Sequence, residues 1–295
     1  MKMIIVGVFS NPSSTNHSHA RGFEANGVDV IRYDYRERLE RLKDDIQMRD
    51  DELIRLVKTE KPDAVFFSKC NNMNSRVLDE ANKSSKTILW YMDALNNYNQ
   101  ELKEKIVRAT LCVSGVEAIA PKMSKLNSNT IFVHQCPDEN DNYRIEGAKK
   151  TIDSLFIGNM NHTIHGNRKK FLDAVGFTHR TGVFGKAHNK LVNQTKVNLS
   201  FCPMDSVGVS VRLYKIMASG GFVLTTPWSD MEKTFEVGKH LDVFSNPKEL
   251  KEKIDFYVKN DWHRETIAKN GYDLVQSNYM PVHWAKRILN HLKSD

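Results

Sequence analysis

One stretch of the chain combines the residue types that could hold a phosphate. The segment 206–226, SVGVSVRLYKIMASGGFVLTT, reads as a loop, an amphipathic helix, a glycine pair and a buried strand. Free backbone N–H groups at a helix start attract phosphate, and Arg212 and Lys215 would add charge-assisted hydrogen bonds. Gly220 and Gly221 allow left-handed backbone and the close approach of a ligand. A helix followed by glycine and a strand is also a common structural turn, so this pattern alone leaves both interpretations open.

An acid at the end of a strand is the candidate general base. The run 88–93 (ILWYMD) reads as a strand that ends in Asp93, and ligands of open α/β sheets bind beyond the carboxyl ends of the strands. Asp93 would there take the proton of a substrate hydroxyl. The alternative is an aspartate that caps a helix or lies in a loop.

Other polar side chains follow other predicted strands. His17 and His19 come in or just after the first loop, and Lys69 and Asn71 follow the strand 64–68. They are candidates for contacts to a second substrate, although side chains of these types in loops are more often simply solvated.

No metal site is predicted. Asn161, His162, His165 and Asn167 form a polar cluster, but no carboxylate or cysteine joins them at ligand spacing. The four cysteines are scattered without a Cys-x-x-Cys pair, which favours reduced, buried thiols over zinc ligands or disulfides.

The elements that must position these residues alternate between strand-like and helix-like segments, as in parallel sheets with crossover helices. One series of predicted strands covers 3–9, 28–33, 64–68, 87–91, 111–113 and 130–133, and a second covers 154–157, 197–201, 222–225 and 242–244. Asn246, Pro247 and Glu249 carry the signals of a capped helix start. We therefore predict an α/β protein with two Rossmann-like domains at 1–150 and 151–280, followed by a terminal helix at 281–295 that packs back on the first domain.

The charge distribution favours a phosphate-bearing ligand in the second half. The 295 residues carry a net charge of +7, and the segment 151–200 has seven basic residues against two acidic ones. Ordinary charge scatter on a solvated surface would also account for so modest an excess. The apolar runs are too short to span a bilayer and the N-terminus lacks a cleavage site, so a cytoplasmic protein is expected.

The motifs together resemble a known family. Residues 212–225 are similar to the C-terminal signature of GT-B glycosyltransferases in the group of the spore-maturation protein CgeB, with Arg212, Tyr214, Met217 and the run 218–221 (ASGG) at matching positions. The stretches 153–158, 183–199, 231–244 and 268–271 resemble other parts of the same family. The resemblance covers about 151–292, whereas the first 150 residues match in rhythm alone.

This resemblance implies a glycosyltransferase with a donor cleft between its two domains, a nucleotide diphosphate sugar such as a UDP-sugar as donor, and no bound metal or cofactor. The implied donor-binding residues are Gly158, Asn159, Arg168, Lys186, Arg212, Tyr214, Lys215, Ser219, Gly220 and Gly221. Arg168, Lys186 and Arg212 would neutralise the diphosphate, and Ser219–Gly221 would offer it backbone donors. Lys215 stands where the family often has a glutamate that binds the ribose, which predicts that Lys215 serves phosphate instead.

The acceptor is open. Small size and a basic second half resemble phage enzymes that transfer glucose or a pentose such as arabinose to 5-hydroxymethylcytosine in DNA, and this is the favoured acceptor, with Asp93 as base if the reaction inverts. The nearly neutral first domain counts against DNA. The alternatives are a saccharide, spore-coat or small-molecule acceptor, or an inactive module that binds nucleotides or nucleic acid.

Overall fold

The computed structural model describes residues 1–93, 98–160, 168–202 and 210–293 of the chain. These residues form two compact units. The first contains Met1–Gln135 together with Pro281–Asp295, and the second contains Cys136–Met280.

The first unit is built on a six-stranded parallel sheet. Its strands are β1 (Lys2–Gly7), β2 (Asp29–Asp34), β3 (Ala64–Ser68), β4 (Lys86–Tyr91), β5 (Leu111–Ser114) and β6 (Thr130–Phe132), in the spatial order β2-β1-β3-β4-β5-β6. Its helices are α1 (Thr15–Glu24), α2 (Tyr35–Arg41), α3 (Ile46–Glu60), α4 (Arg76–Ala81), α5 (Gln100–Arg108) and α6 (Ala120–Ser124). The central strands β1, β3 and β4 are almost continuously apolar because helices cover both faces of the sheet.

The second unit has a five-stranded parallel sheet. Its strands are β7 (Ile152–Ile157), β8 (Thr178–Arg180), β9 (Thr195–Ser200), β10 (Val223–Thr225) and β11 (Asp242–Val243), in the order β11-β10-β9-β7-β8. Its helices are α7 (Arg168–Val175), α8 (Gly185–Gln194), α9 (Val211–Ala218), α10 (Pro247–Lys259) and α11 (Asp261–Asn278), with a 3-10 turn at Met231–Lys233. The prediction of two parallel-sheet α/β units is confirmed.

The start of α10 shows why the sequence signals work. Asn246 Oδ1 accepts from the N–H of Glu249 at 3.0 Å, and Pro247 occupies the first turn, where no N–H is needed. The Glu249 carboxylate accepts from the N–H of Ser245 at 2.8 Å. The predicted cap is therefore confirmed.

The last helix, α12 (Pro281–Lys293), belongs to the first unit and packs on α1. Gly22 permits the contact, since a Cβ there would lie 2.4 Å from the carbonyl oxygen of Pro281. Asn26 Nδ2 donates to the carbonyls of Gly22 at 2.8 Å and Val282 at 2.9 Å. Trp284 enters an aromatic cluster with Phe66 and Trp90 of the sheet.

Candidate functional site

The topology of the second sheet defines where a ligand would bind. The chain leaves β7 to form β8 on one side and then returns to form β9 on the other side. Such a switch point opens a crevice at the carboxyl ends of the two central strands, here β7 and β9. Gly158 follows β7 directly, and α7 and α9 both begin at this edge of the sheet.

Two arginines converge on one aromatic ring at this switch point. The guanidinium carbon of Arg212 lies 4.9 Å from the ring centroid of Phe156, and that of Arg168 lies 5.3 Å from it. Arg212 Nε donates to the carbonyl of Ile157 at 2.9 Å. Arg168 donates from Nη1 to the carbonyl of Asn159 at 2.9 Å and from Nη2 to that of Phe201 at 3.1 Å. These contacts orient both guanidiniums without neutralising them.

Among the described residues, no counter-charge balances this arginine pair. Within the described parts of the chain, no carboxylate forms an ion pair with Arg168 or Arg212, and Arg212 Nη1 is buried without a hydrogen-bond partner. Burial and the neighbouring Arg212 lower the pKa of Arg168 to about 10, and burial also lowers the pKa of Arg212. Enclosed positive charge without a counter-charge is costly, so an anion bound here would relieve that cost.

Gly158 makes room for the pair. A Cβ at this position would lie 2.7 Å from Arg212 Nη2 and 2.7 Å from Phe156 Cζ. Its backbone N–H donates to the carbonyl of Arg180 at 3.0 Å, and its carbonyl is 2.7 Å from His179 Nε2. The position is therefore fixed on both sides and has no space for a side chain.

Lys215 lies one turn beyond Arg212 on α9, in a different environment. Burial lowers its pKa, while the carboxylates of Asp138 and Asp141 oppose that shift. His188 of α8 also feels this field. Burial, and then the charges of Lys215 and Arg212, lower the pKa of His188 to about 4, so its imidazole is neutral near pH 7.

Lys186 and Asn159, which were also predicted to bind the donor, are exposed. Lys186 is the second residue of α8, a helix that begins after the carboxyl end of β8. The Asn159 carbonyl accepts from Arg168, as described above. Both residues therefore lie along the carboxyl edge of the sheet, where the donor role of each stays a prediction.

The end of α9 corrects one group of donor contacts. The N–H groups of Ser219, Gly220 and Gly221 all donate to carbonyls of α9, and Ser219 Oγ donates to the carbonyl of Lys215 at 2.8 Å. Gly220 has a φ of 71°, the left-handed conformation that ends a helix. These residues also lie about 12 Å along the helix from Arg212, at the opposite edge of the sheet. They terminate the helix and have no free N–H group for a phosphate.

Tyr214 requires a similar correction. Its side chain is 0% exposed and packs against Phe235 and Tyr279, with ring centroids 5.9 and 5.3 Å away. It stabilises the core beneath α9 and does not face a ligand.

In the first unit, Asp93 follows β4 and Lys69 follows β3, and these strands are neighbours. Lys69 Nζ donates to Asp93 Oδ1, and the two side chains are 28% and 26% exposed. The structure therefore brings together the candidate base Asp93 and Lys69, which the sequence analysis predicted separately as a contact to a second substrate. Asn71 is exposed in the same loop after β3.

The two histidines of α1 lie in different environments. His17 is partly exposed, and its Nε2 lies 3.2 Å from the carbonyl of Asn11. His19 is 2% exposed and stacks on Trp284 at 4.1 Å. Burial lowers the pKa of His19 to about 3. His19 is a neutral core residue, so the prediction that it contacts an acceptor is wrong.

Across the described ranges, no group of three potential ligands could hold a metal ion. The polar cluster at Asn161, His162, His165 and Asn167 lies outside the described residues. Of the helices that the structure describes, none is long and apolar enough to cross a membrane.

Comparison with known proteins agrees with this arrangement. Residues 147–290 match the family model described as "Glycosyl transferase-like". No protein of curated function matches the sequence. At the level of this family match over 147–290, the prediction of a glycosyltransferase is confirmed.

Solved structures show the fold. HepE from Anabaena, crystallised with UDP-glucose, aligns with a TM-score of 0.71 and 11% identity over 100% of both chains. A glycosyltransferase from Rickettsia africae aligns with a TM-score of 0.66 and 11% identity, covering 99% of this chain and 98% of that chain. Sucrose-phosphate synthase from Thermosynechococcus elongatus gives 0.67 and 10% identity over 100% and 98%. The predicted GT-B fold is confirmed.

Four parts of this site escaped the sequence analysis: Phe156, Asp138, Asp141 and His188. Phe156 was read only as part of a buried strand, which it is. The two aspartates lie in the polar stretch 138–150, just before the predicted domain boundary, and no local pattern indicates their proximity to Lys215. His188 lies four residues before the buried Val192, on the buried face of α8, and that helical spacing is the available signal.

Proposed function

We propose that the protein transfers a glycosyl group from a UDP-sugar to an acceptor hydroxyl, with the donor diphosphate held at the carboxyl ends of β7 and β9. The observation that carries this proposal is the Arg168–Arg212 pair, oriented by backbone carbonyls and Phe156 but not neutralised by any described carboxylate. The solved relative HepE, with the same fold, was crystallised with UDP-glucose, which supports UDP as the nucleotide.

The pair would act on the leaving group. As the acceptor oxygen bonds to the anomeric carbon, the bond from that carbon to the phosphate oxygen breaks and its electron pair leaves with UDP. Guanidiniums already oriented toward the diphosphate stabilise this developing charge without reorganising during the reaction. The acceptor proton passes to a base, for which Asp93 is the candidate if the configuration is inverted.

The role of Lys215 remains part of the proposal. Its ammonium group carries the charge that a phosphate requires, and a lysine cannot accept a hydrogen bond from a ribose hydroxyl. The nearby Asp138 and Asp141 favour its charged form. We infer that these carboxylates keep Lys215 ionised until the donor phosphate arrives.

The sugar is proposed to be glucose or a pentose such as arabinose, and the acceptor 5-hydroxymethylcytosine in phage DNA, as in the phage members of the CgeB-like group. Exposed lysines of the second unit, Lys170, Lys186 and Lys190, support a contact to DNA phosphates. Arg168 is buried and Lys169 pairs with Asp173 at 3.0 Å, so these two residues contribute less. Saccharide or small-molecule acceptors and an inactive binding module are the competing outcomes. A cytoplasmic location belongs to the same proposal.

The first experiment tests the donor. Purified protein is incubated with a panel of nucleotide sugars, and released nucleoside diphosphate is measured. We expect UDP release from one UDP-sugar and its loss when Arg168 and Arg212 are both replaced by methionine. Arg144→Met is the matched control, because Arg144 lies near the far end of α9, where a Cβ added at Gly220 would be 3.2 Å from Arg144 Cγ. Absence of release from every donor, together with no UDP binding, would overturn the proposed function.

The second experiment tests the acceptor. Matched duplexes that carry cytosine or hydroxymethylcytosine are incubated with the protein and the active donor, and the digested nucleosides are weighed. We expect added sugar mass on hydroxymethylcytosine alone, because only that base offers a hydroxymethyl nucleophile. Binding to both duplexes should weaken steeply with salt, with a log–log slope of about −0.9 per phosphate contacted. Sugar found on another acceptor and never on DNA would refute the DNA proposal and leave the transferase proposal intact.

A further inference from the structure

The loop that follows β3 has a strained backbone. Three of its residues, none of them glycine, have positive φ angles: Lys69 at 61°, Cys70 at 54° and Asn72 at 59°. Each such residue costs about 1 kcal/mol or more relative to the ordinary helical or extended conformation. A backbone of this kind persists only where the surrounding structure determines it.

Buried charged side chains hold the backbone of this loop in its conformation. Arg49 and Asp50 form an ion pair at 2.6 Å with both side chains 0% exposed. Arg49 Nη2 donates to the carbonyl of Asn72 at 2.7 Å, and Asp50 Oδ2 accepts from the N–H of Asn74 at 3.0 Å. The ion pair therefore holds the loop backbone at Asn72 and at Asn74.

A second buried cation holds the first half. Lys105 of α5 is 2% exposed, and its Nζ donates to the carbonyl of Cys70 and to the Glu101 carboxylate. Ion pairs in a protein core rarely add net stability compared with apolar residues of the same volume. We infer that these groups are used to fix the geometry of the loop.

The conformation of this loop directs the Lys69 side chain toward Asp93. The Lys69 N–H donates to the carbonyl of Trp90 at 3.0 Å, which aligns the start of the loop with β4. Its Nζ then donates to Asp93 Oδ1. Lys69 is the one hydrogen-bond donor to this carboxylate among the residues that the structure describes. The partial exposure of both side chains leaves the pair accessible to a substrate.

We propose that Lys69 is a positioning residue for the base Asp93, held in place by the strained loop and its buried charges. Lys69 fixes one carboxylate oxygen, and the other accepts the proton of the acceptor hydroxyl while the new bond to the sugar forms and UDP departs. This inference rests on the proposed function. It assigns Lys69 a specific role, whereas the sequence analysis predicted only a contact to the second substrate.

The test compares Lys69→Met, Lys69→Arg and Asp93→Asn with the wild type in UDP release from the active UDP-sugar. We expect Asp93→Asn to lower kcat by about 100-fold or more, as for loss of a general base. Lys69→Met should lower kcat about tenfold with the KM for the donor unchanged, and Lys69→Arg should recover at least half of that loss. Lys83→Met is the control, since Lys83 is an exposed lysine of the same unit that also pairs with a carboxylate.

Melting temperature and UDP affinity, measured for every variant, separate the possible causes. Folded Lys69→Met with an unchanged kcat would overturn the proposal, as would equal losses in the methionine and arginine variants accompanied by equal losses of melting temperature. Absence of turnover in the wild type would instead be a failure of the proposed function.

Discussion

Replacing Arg212 by methionine tests the donor site most directly. The change removes the guanidinium but keeps an unbranched side chain that can still lie against Phe156. Two interactions of the free protein are lost, the hydrogen bond from Nε to Ile157 at 2.9 Å and the stacking at 4.9 Å. They are worth about 1 kcal/mol each by general experience.

A gain in the stability of the folded state opposes these losses. Because burial lowers the pKa of Arg212, the folded state holds the charged guanidinium at a free-energy cost, and methionine removes that cost. Nη1, which is buried without a partner, no longer needs one. We therefore expect the free energy of unfolding of the ligand-free protein to change by about 1 kcal/mol or less in either direction.

Ligand binding should respond far more strongly. A charge-assisted hydrogen bond to phosphate contributes about 1.5 to 3 kcal/mol, so the Kd for UDP should rise about 10- to 150-fold. Calorimetric titration with UDP measures this value, and thermal denaturation with and without UDP provides an independent check. The ligand-induced rise in Tm should shrink in Arg212→Met and persist in Arg144→Met.

A folded Arg212→Met protein that binds UDP with wild-type affinity would refute this reasoning. The arginine pair would then serve the fold and would not bind the donor diphosphate. A large fall in the Tm of the ligand-free variant would also contradict the estimate, because it would show that the guanidinium stabilises the fold more than its burial costs.

Three further outcomes follow from the same geometry. Lys215→Glu should weaken UDP binding at least tenfold, since it places a third carboxylate beside two aspartates near the proposed phosphate position; tighter binding in calorimetry would reverse the role assigned to Lys215. Gly158→Ala should destabilise the protein by about 1 to 3 kcal/mol in urea denaturation and weaken UDP binding, because its methyl group would lie 2.7 Å from Arg212 Nη2. The pKa of His19 is lowered to about 3, so its contribution to stability is present above the unfolded value near 6.5 and is lost as the pH falls toward 3. Between pH 7 and pH 5 the wild type should therefore lose about 2 kcal/mol more stability than His19→Phe, and equal losses in the two proteins would contradict the burial of a neutral imidazole.

The strands were predictable because their signal is local. Ala64–Ser68 is a short apolar run bounded by polar residues, and the predicted and observed bounds coincide. A strand that helices cover on both faces must be apolar at successive positions, so composition alone reveals it. The polar helix α2 (YRERLER) was missed for the opposite reason, because it buries only Tyr35 and shows no apolar periodicity.

The error at His19 also has a physical cause. Both histidines come in or just after the first predicted loop, so they were interpreted as solvated side chains or as contacts to a second substrate. The structure begins α1 at Thr15, with Ser14 as its cap. His19 and Phe23 are then four residues apart on one helical face, the spacing of a buried pair. This spacing is present in the sequence and is the signal for a buried histidine.

The site itself was only partly predictable, because its chemistry depends on distant residues. The motif at 212–225 predicted that Arg212 and Lys215 lie one turn apart on the same helix, as they do. It could not show that one meets an aromatic ring and a second arginine, whereas the other faces carboxylates from a loop more than 70 residues earlier in the chain. The same motif nominated Ser219–Gly221, which the structure uses to end the helix.

Other buried cations of the described residues have carboxylate partners, as Arg264 of the second unit has in Asp261 and Glu265, and this contrast supports assigning the anion to the Arg168–Arg212 pair. In the first unit, Arg49 and Lys105 are buried with carboxylate partners and also donate to loop carbonyls, so their charge is balanced and serves the backbone. In the second unit, Arg168 and Arg212 have only carbonyls and a ring as partners among the described residues. Carbonyl dipoles orient a guanidinium but do not cancel its charge. A pair held in orientation and left unbalanced at the switch point of a parallel sheet is the arrangement that a diphosphate would complete.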